Sequence, residues 1–133
     1  MAELFSQEWM EKFMEEWNKE PEIVDTLEKI NFNSTIGYGF DDGSATPVGI
    51  ITVENGRVVR AGPYNGEALN WDLRANRENW QKWVEKGIGM MGLGMAYTQR
   101  KIKFNVGDYM AMVKDPRMAG PFIKSFSVMG RVA

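Results

Sequence analysis

The chain has 133 residues, 44% of them hydrophobic, and a formal net charge of −2. That is enough for one domain with its own core, and too little positive charge for nucleic-acid binding, which needs a basic face. It contains neither cysteine nor histidine, which removes disulfides, thiolate-built zinc sites, thiol nucleophiles and every triad that relies on imidazole.

The charge is unevenly placed. Up to Ile30 there are nine acidic residues against three lysines, and the remainder has nine against thirteen basic ones. The acidic front reads as a solvated helix face or as a docking surface for a basic partner. The opening MAELFSQEWMEKF puts acids where a signal peptide needs a basic end, and no apolar run approaches membrane-spanning length, so a soluble, cytoplasmic protein is expected.

Ser6 is a good N-cap, and Phe5, Trp9, Phe13 and Trp17 follow at near-fourfold spacing, which predicts an amphipathic helix ending near Lys19. Pro21 opens a second short helix with Val24, Leu27 and Ile30 as its buried stripe. From Phe32 the apolar period changes to two. Residues 34–40 form a glycine-interrupted strand, Asp42-Gly43 a turn, and residues 48–53 a second strand. Asn55-Gly56 is a hairpin turn that favours positive φ at both positions, so residues 57–61 are the return strand. Residues 68–75 alternate again, with Trp71, Leu73 and Ala75 on one face and Asp72 and Arg74 on the outer one.

Asn76 caps the next helix, residues 77–86, whose apolar face carries Trp80, Trp83 and Val84 and which Gly87 closes. In residues 87–95 four glycines alternate with Ile88, Met90, Met91, Leu93 and Met95. Glycine inside a helix costs about 0.5–1 kcal/mol relative to alanine, so this loose helix, reaching Gln99, reads as a flexible lid rather than as pure core. Methionine adapts to irregular shapes, and seven of the ten methionines lie beyond Ile88. Residues 101–106 make a fifth strand, Asp108 caps a short helix over residues 109–114, and an apolar segment with Met118, Phe122, Ile123, Phe126 and Met129 follows Pro116. Helices gathered on a mainly antiparallel five-stranded sheet are the α+β pattern. A single domain spans residues 1–133, with helices over 1–31 and the sheet, pocket and terminal helices over 32–133.

The stretch from Trp80 to Met112 thus reads as the wall and mouth of an apolar pocket. Tyr97, Thr98 and Gln99 would stand at the mouth, and Arg100, Lys101 and Lys103 form a small basic cluster, either a solvated strand edge or a contact for a head group or anionic surface.

The NG strand pair, the helix ending WVEKG, and QRKIKFNVGDYMAMV resemble the sterol carrier protein type 2 family, the similarity running roughly over residues 35–129. The resemblance implies a five-stranded sheet covered by helices that enclose an apolar tunnel, and binding or transfer of sterols, fatty acyl chains or other lipids without covalent chemistry, cofactor or metal. It further implies that Trp80, Trp83, Val84 and residues 87–95, with Met90, Met91, Leu93 and Met95, line one wall. Ile102 and Phe104 would form the floor; Met110, Met112 and the terminal helix, with Met118, Phe122 and Phe126, would form the gate. The terminal Arg131-Val132-Ala133 departs from the peroxisomal tripeptide of some members, and GPYNGEALNWDL has no counterpart in the family pattern.

The expected partner is a hydrophobic small molecule, with transient contact to a membrane or an enzyme. Two other classes stand beside this one. A small cone-shaped α+β enzyme would use a buried carboxylate as base and a tyrosine as oxyanion donor, for which Asp72 and Tyr38 or Tyr64 are the available pieces. An accessory subunit of a lipid- or hydrocarbon-metabolising enzyme would instead expose a contiguous apolar patch on its first or last helix.

Overall fold

The computed structural model describes residues 2–132; Met1 and Ala133, the last residue of the terminal tripeptide, lie outside it. The elements run α1 (Gln7–Asn18), α2 (Pro21–Glu28), β1 (Ser34–Phe40), β2 (Gly49–Glu54), β3 (Arg57–Pro63), β4 (Trp71–Ala75), α3 (Arg77–Lys86), α4 (Met90–Thr98), β5 (Ile102–Val106), α5 (Tyr109–Lys114) and α6 (Pro116–Met129). Side-chain caps set most of the helix starts. Ser6 accepts from the Trp9 amide, Asn76 from Asn79 and Asp108 from Ala111, each satisfying a backbone donor that the first turn leaves free. At the hairpin, Asn55 and Gly56 take φ of 49° and 85°, the paired positive values of a two-residue turn whose twist matches its strands.

The sheet order is β3-β2-β1-β4-β5. Three of its pairings are antiparallel, and β1 with β4 is parallel, so the sheet is mixed but mainly antiparallel. On the inner face, Ile36, Tyr38 and Phe40 of β1 lie beside Trp71, Leu73 and Ala75 of β4. Against them packs an aromatic cluster in which Phe5 meets Trp9, Tyr38, Phe40 and Trp80 at ring separations of 5.1–5.6 Å. Helix α6 packs against α1, α2, α3 and α5 and so closes the core. In α2 the stripe shifts by one side chain: Ile23, Val24 and Leu27 are buried, whereas Ile30, just past the helix end at Glu28, is only half-buried.

The outer face departs from expectation at β4. Asp72 and Arg74 are not solvent-exposed; they are 4% and 2% exposed. Arg74 Nε and Nη2 donate to the two Asp72 carboxylate oxygens at 2.7 and 3.0 Å, and its Nη1 donates to the Ser44 carbonyl at 2.8 Å. The 41–48 loop folds over this face because β1 has glycine where side chains would block it. A Cβ on Gly37 would stand 2.8 Å from Pro47 Cγ, and one on Gly39 would stand 3.2 Å from the Arg74 side chain. Leu69 also lies against Gly37, and β4 begins at Trp71 rather than at residue 68.

Candidate functional site

Between the inner face of the sheet and helices α5 and α6 lies a cavity of about 40 Å³. Ile36 of β1, Trp71 and Leu73 of β4 and Phe104 of β5 line its sheet side. Trp17 of α1, Leu27 of α2 and Phe32 close one end, and Met112 of α5 with Met118, Pro121 and Phe122 of α6 form the helical wall. The lining side chains are hydrophobic throughout. Their only side-chain nitrogens are the indoles of Trp17 and Trp71, and the Trp17 N–H donates to the Gly56 carbonyl at 2.9 Å. No acid, base or nucleophile faces the space.

A cavity of this size exceeds the roughly 10–15 Å³ that a single water requires, yet apolar walls give water nothing to bond to. It is about an order of magnitude below the 300–1,000 Å³ of ligand pockets, so a larger guest enters only if a wall moves. Asp115 is at once the C-cap of α5 and the N-cap of α6, so the two helices meet at a single extended residue. Pro121 sits inside α6 and cannot donate to the Arg117 carbonyl, which loosens the turn carrying Met118.

A second, open depression of about 590 Å³ lies at the sheet edge, lined by Tyr97, Thr98, Arg100, Ile102, Lys103 and Phe104. Phe104 borders both spaces. Above it, Tyr97 stacks on Tyr109 with centroids 3.8 Å apart and planes 12° from parallel, joining α4 to α5. Burial, with Tyr97 beside it, raises the Tyr109 pKa above the ordinary phenol value.

Of the residues singled out from sequence, Phe104, Met112, Met118 and Phe122 meet at the cavity. Trp80, Trp83 and Phe126 lie in the adjoining aromatic core, where Trp80 and Phe126 stack at 6.2 Å. Val84 is half-buried against that core, Leu93 is fully buried beneath α4, and Ile102, also buried, borders the open depression. Met90, Met91, Met95 and Met110 do not line the cavity and instead face solvent. The expected α4 wall is thus supplied by α5 and α6, because α4 turns only Leu93 and Ala96 inward. Sequence reasoning missed Trp17, Leu27, Phe32, Ile36, Trp71, Leu73 and Pro121. Their periodicity marked most of them as buried, but periodicity does not separate core from cavity wall.

Of the alternative catalytic pieces, Asp72 and Tyr38 lie on opposite faces of the sheet. Asp72 lies on the outer face with Arg74, while Tyr38 points inward among Phe5, Phe13 and Trp80, where burial pushes its pKa up. Among the described residues, no three carboxylates come together in a way that could hold a metal ion, and no helix is long and apolar enough to cross a membrane.

A five-stranded mixed sheet with helices packed over an internal apolar space defines the sterol carrier protein 2 fold. No protein-family model and no curated protein matches the chain by sequence. Solved structures do match it. The crystal structure of sterol carrier protein 2 superimposes with a TM-score of 0.77 over 98% of this chain and 100% of that one, at 17% identity. The solution structure of a conserved hypothetical protein of Thermus thermophilus, described as a sterol carrier candidate, gives 0.69 over 100% of this chain and 92% of that one, also at 17% identity. The ubiquinone synthesis protein UbiJ-SCP2 gives 0.56 at 9% identity, covering 88% of this chain and 84% of that one. At these identities the likeness is one of fold.

Proposed function

We propose that the chain is a non-catalytic binding protein for an apolar small molecule of lipid type, held between the sheet and helices α5 and α6. The observation that carries this reading is the composition of the cavity wall, in which every side chain is hydrophobic and none can move a proton or attack a carbonyl. Affinity in such a site comes from burial, at about 25 cal/mol per Å² of apolar surface removed from water. The sterol carrier protein 2 fold supports the same reading. Opening at Asp115 and Pro121 swings Met118 and Phe122 outward and enlarges the space toward the depression beside Phe104. A guest with an apolar body and an acidic end, such as a long-chain fatty acid, would then lay its head group by Arg100 and Lys103.

The test is native mass spectrometry of the freshly purified protein, followed by organic extraction and thermal unfolding with added fatty acids, acyl thioesters and sterols. A stoichiometric adduct, or a rise in the unfolding temperature with one of these classes, is expected. A clean apo mass with no thermal response to any of them would overturn the carrier reading.

A further inference from the structure

Helix α4 is apolar on its outer face as well as its inner one. Met91 and Met95, one turn apart, are 83% and 56% exposed and point away from the buried Leu93 and Ala96. Met90 on the same helix and Met110 on the adjoining α5 are also exposed. From Gly89 to Tyr97 no side chain is polar except the terminal tyrosine. The methionine stripe itself therefore offers no hydrogen-bonding side chain, whereas protein interfaces carry about one hydrogen bond per 100–200 Å². A lipid surface asks only for apolar side chains and an aromatic with a polar tip at the boundary, the position Tyr97 occupies.

The segment that carries this face has an excess of positive charge. Residues 86–114 contain five basic residues and a single acid, Asp108, which equals the whole positive excess of the chain beyond Ile30. Among the described residues, Lys86, Arg100, Lys101 and Lys114 form no ion pair; Lys103 pairs with Asp41 at 3.0 Å. The acidic pole lies at the far edge of the sheet. α1, with Glu8, Glu11 and Glu15 exposed, packs along β3, while α4 packs at β5, and these strands are the two edges.

We propose that the α4–β5 edge is a docking face for an anionic bilayer, with Met91 and Met95 entering the acyl boundary and Arg100 and Lys101 at the head groups. Like-sign repulsion turns the α1 edge away, so the molecule has one orientation on the surface. The local determinants of α4 suit insertion. Its N-cap, Gly89, makes no side-chain hydrogen bond, and Gly92 and Gly94 lie within the helix. The proposal concerns surface binding and stands whether or not the cavity is filled.

The experiment is co-sedimentation of the full chain with vesicles of phosphatidylcholine containing phosphatidylserine, against phosphatidylcholine alone, at low and physiological salt. Binding is expected to the anionic vesicles, to weaken roughly fivefold for each charge removed in Arg100→Gln and Lys101→Gln, and to be lost in Met91→Ser/Met95→Ser. Those side chains are exposed, so circular dichroism and thermal unfolding should be unchanged in each variant, and Lys101→Gln, which does not line the depression, should also leave ligand occupancy by native mass spectrometry unchanged, which separates surface binding from the cavity. Equal binding to neutral vesicles, wild-type binding by the methionine variant, or a dimer that the methionine substitutions dissolve in the absence of vesicle binding would each overturn the proposal.

Discussion

Asp72 and Arg74, two residues apart on β4, grip each other through two parallel hydrogen bonds of 2.7 and 3.0 Å beneath the 41–48 loop. Both charges are out of water, and the Arg74 guanidinium also holds the loop through the Ser44 carbonyl. Removing one partner leaves the other buried and uncompensated, which costs about 3–5 kcal/mol, whereas replacing both by apolar groups is often neutral. Arg74→Met should therefore be destabilised by about that much in urea titration. Asp72→Leu combined with Arg74→Met should recover most of the loss. Equal stability of all three proteins would mean that water reaches the pair.

Met112 is buried against the cavity. Met112→Ala should lose about 2–5 kcal/mol, the range for deleting a buried side chain, and should enlarge the space beside Phe104. A saturating apolar ligand should return part of that stability, because a guest that binds only the folded state adds RT ln(1 + [L]/Kd). Thermal unfolding with and without fatty acid measures both effects. A loss with no recovery would show that α5 and α6 collapse into the gap.

Gly94 has room for a side chain: a Cβ there would approach nothing closer than the Tyr109 hydroxyl, at 3.9 Å. Gly94→Ala should stabilise α4 by about 0.5–1 kcal/mol and slow amide exchange over residues 90–98. Gly92→Ala should gain less, since its Cβ would press on Ile88 Cγ1 at 3.2 Å. If α4 is already as protected from exchange as α6, its glycines are not loosening it.

Glu20 caps α2 and accepts from Arg131 Nη2 at 2.8 Å, tying α2 to the chain just beyond α6. The Arg131 hydrogen bond holds the Glu20 carboxyl below its ordinary value of 4.5. A carboxyl lowered on folding contributes stability that is fully present above the unfolded value and is lost as pH falls through the folded one. The contribution should hold above about pH 5 and fade below 4.5. Glu20→Gln should lower the unfolding temperature at neutral pH and flatten its decline in acid. Parallel pH profiles for the two proteins would assign the acid sensitivity to other carboxylates.

The helices and strands were legible because their signals are local. Ser6, Asn76 and Asp108 cap the helices they precede, Asn55-Gly56 makes its hairpin, and the Lys-Ile-Lys strand entering Gly-Asp belongs to a recognisable fold. Periods of two and 3.6 residues likewise mark which side chains turn away from water. What lies beyond periodicity was decided by the tertiary structure. Alternation placed Asp72 on the outer face of β4 correctly, but only the packing of Pro47 and Leu69 over Gly37 makes that face dry. Composition identified Met90, Met91 and Met95 as adaptable and apolar, while the turn of α4 about Leu93 and Ala96 decides that they face outward. The cavity wall brings Trp17 and Phe122 to one space across more than a hundred residues of chain, a juxtaposition that no local pattern encodes, because burial depends on which surfaces meet after the chain has closed on itself.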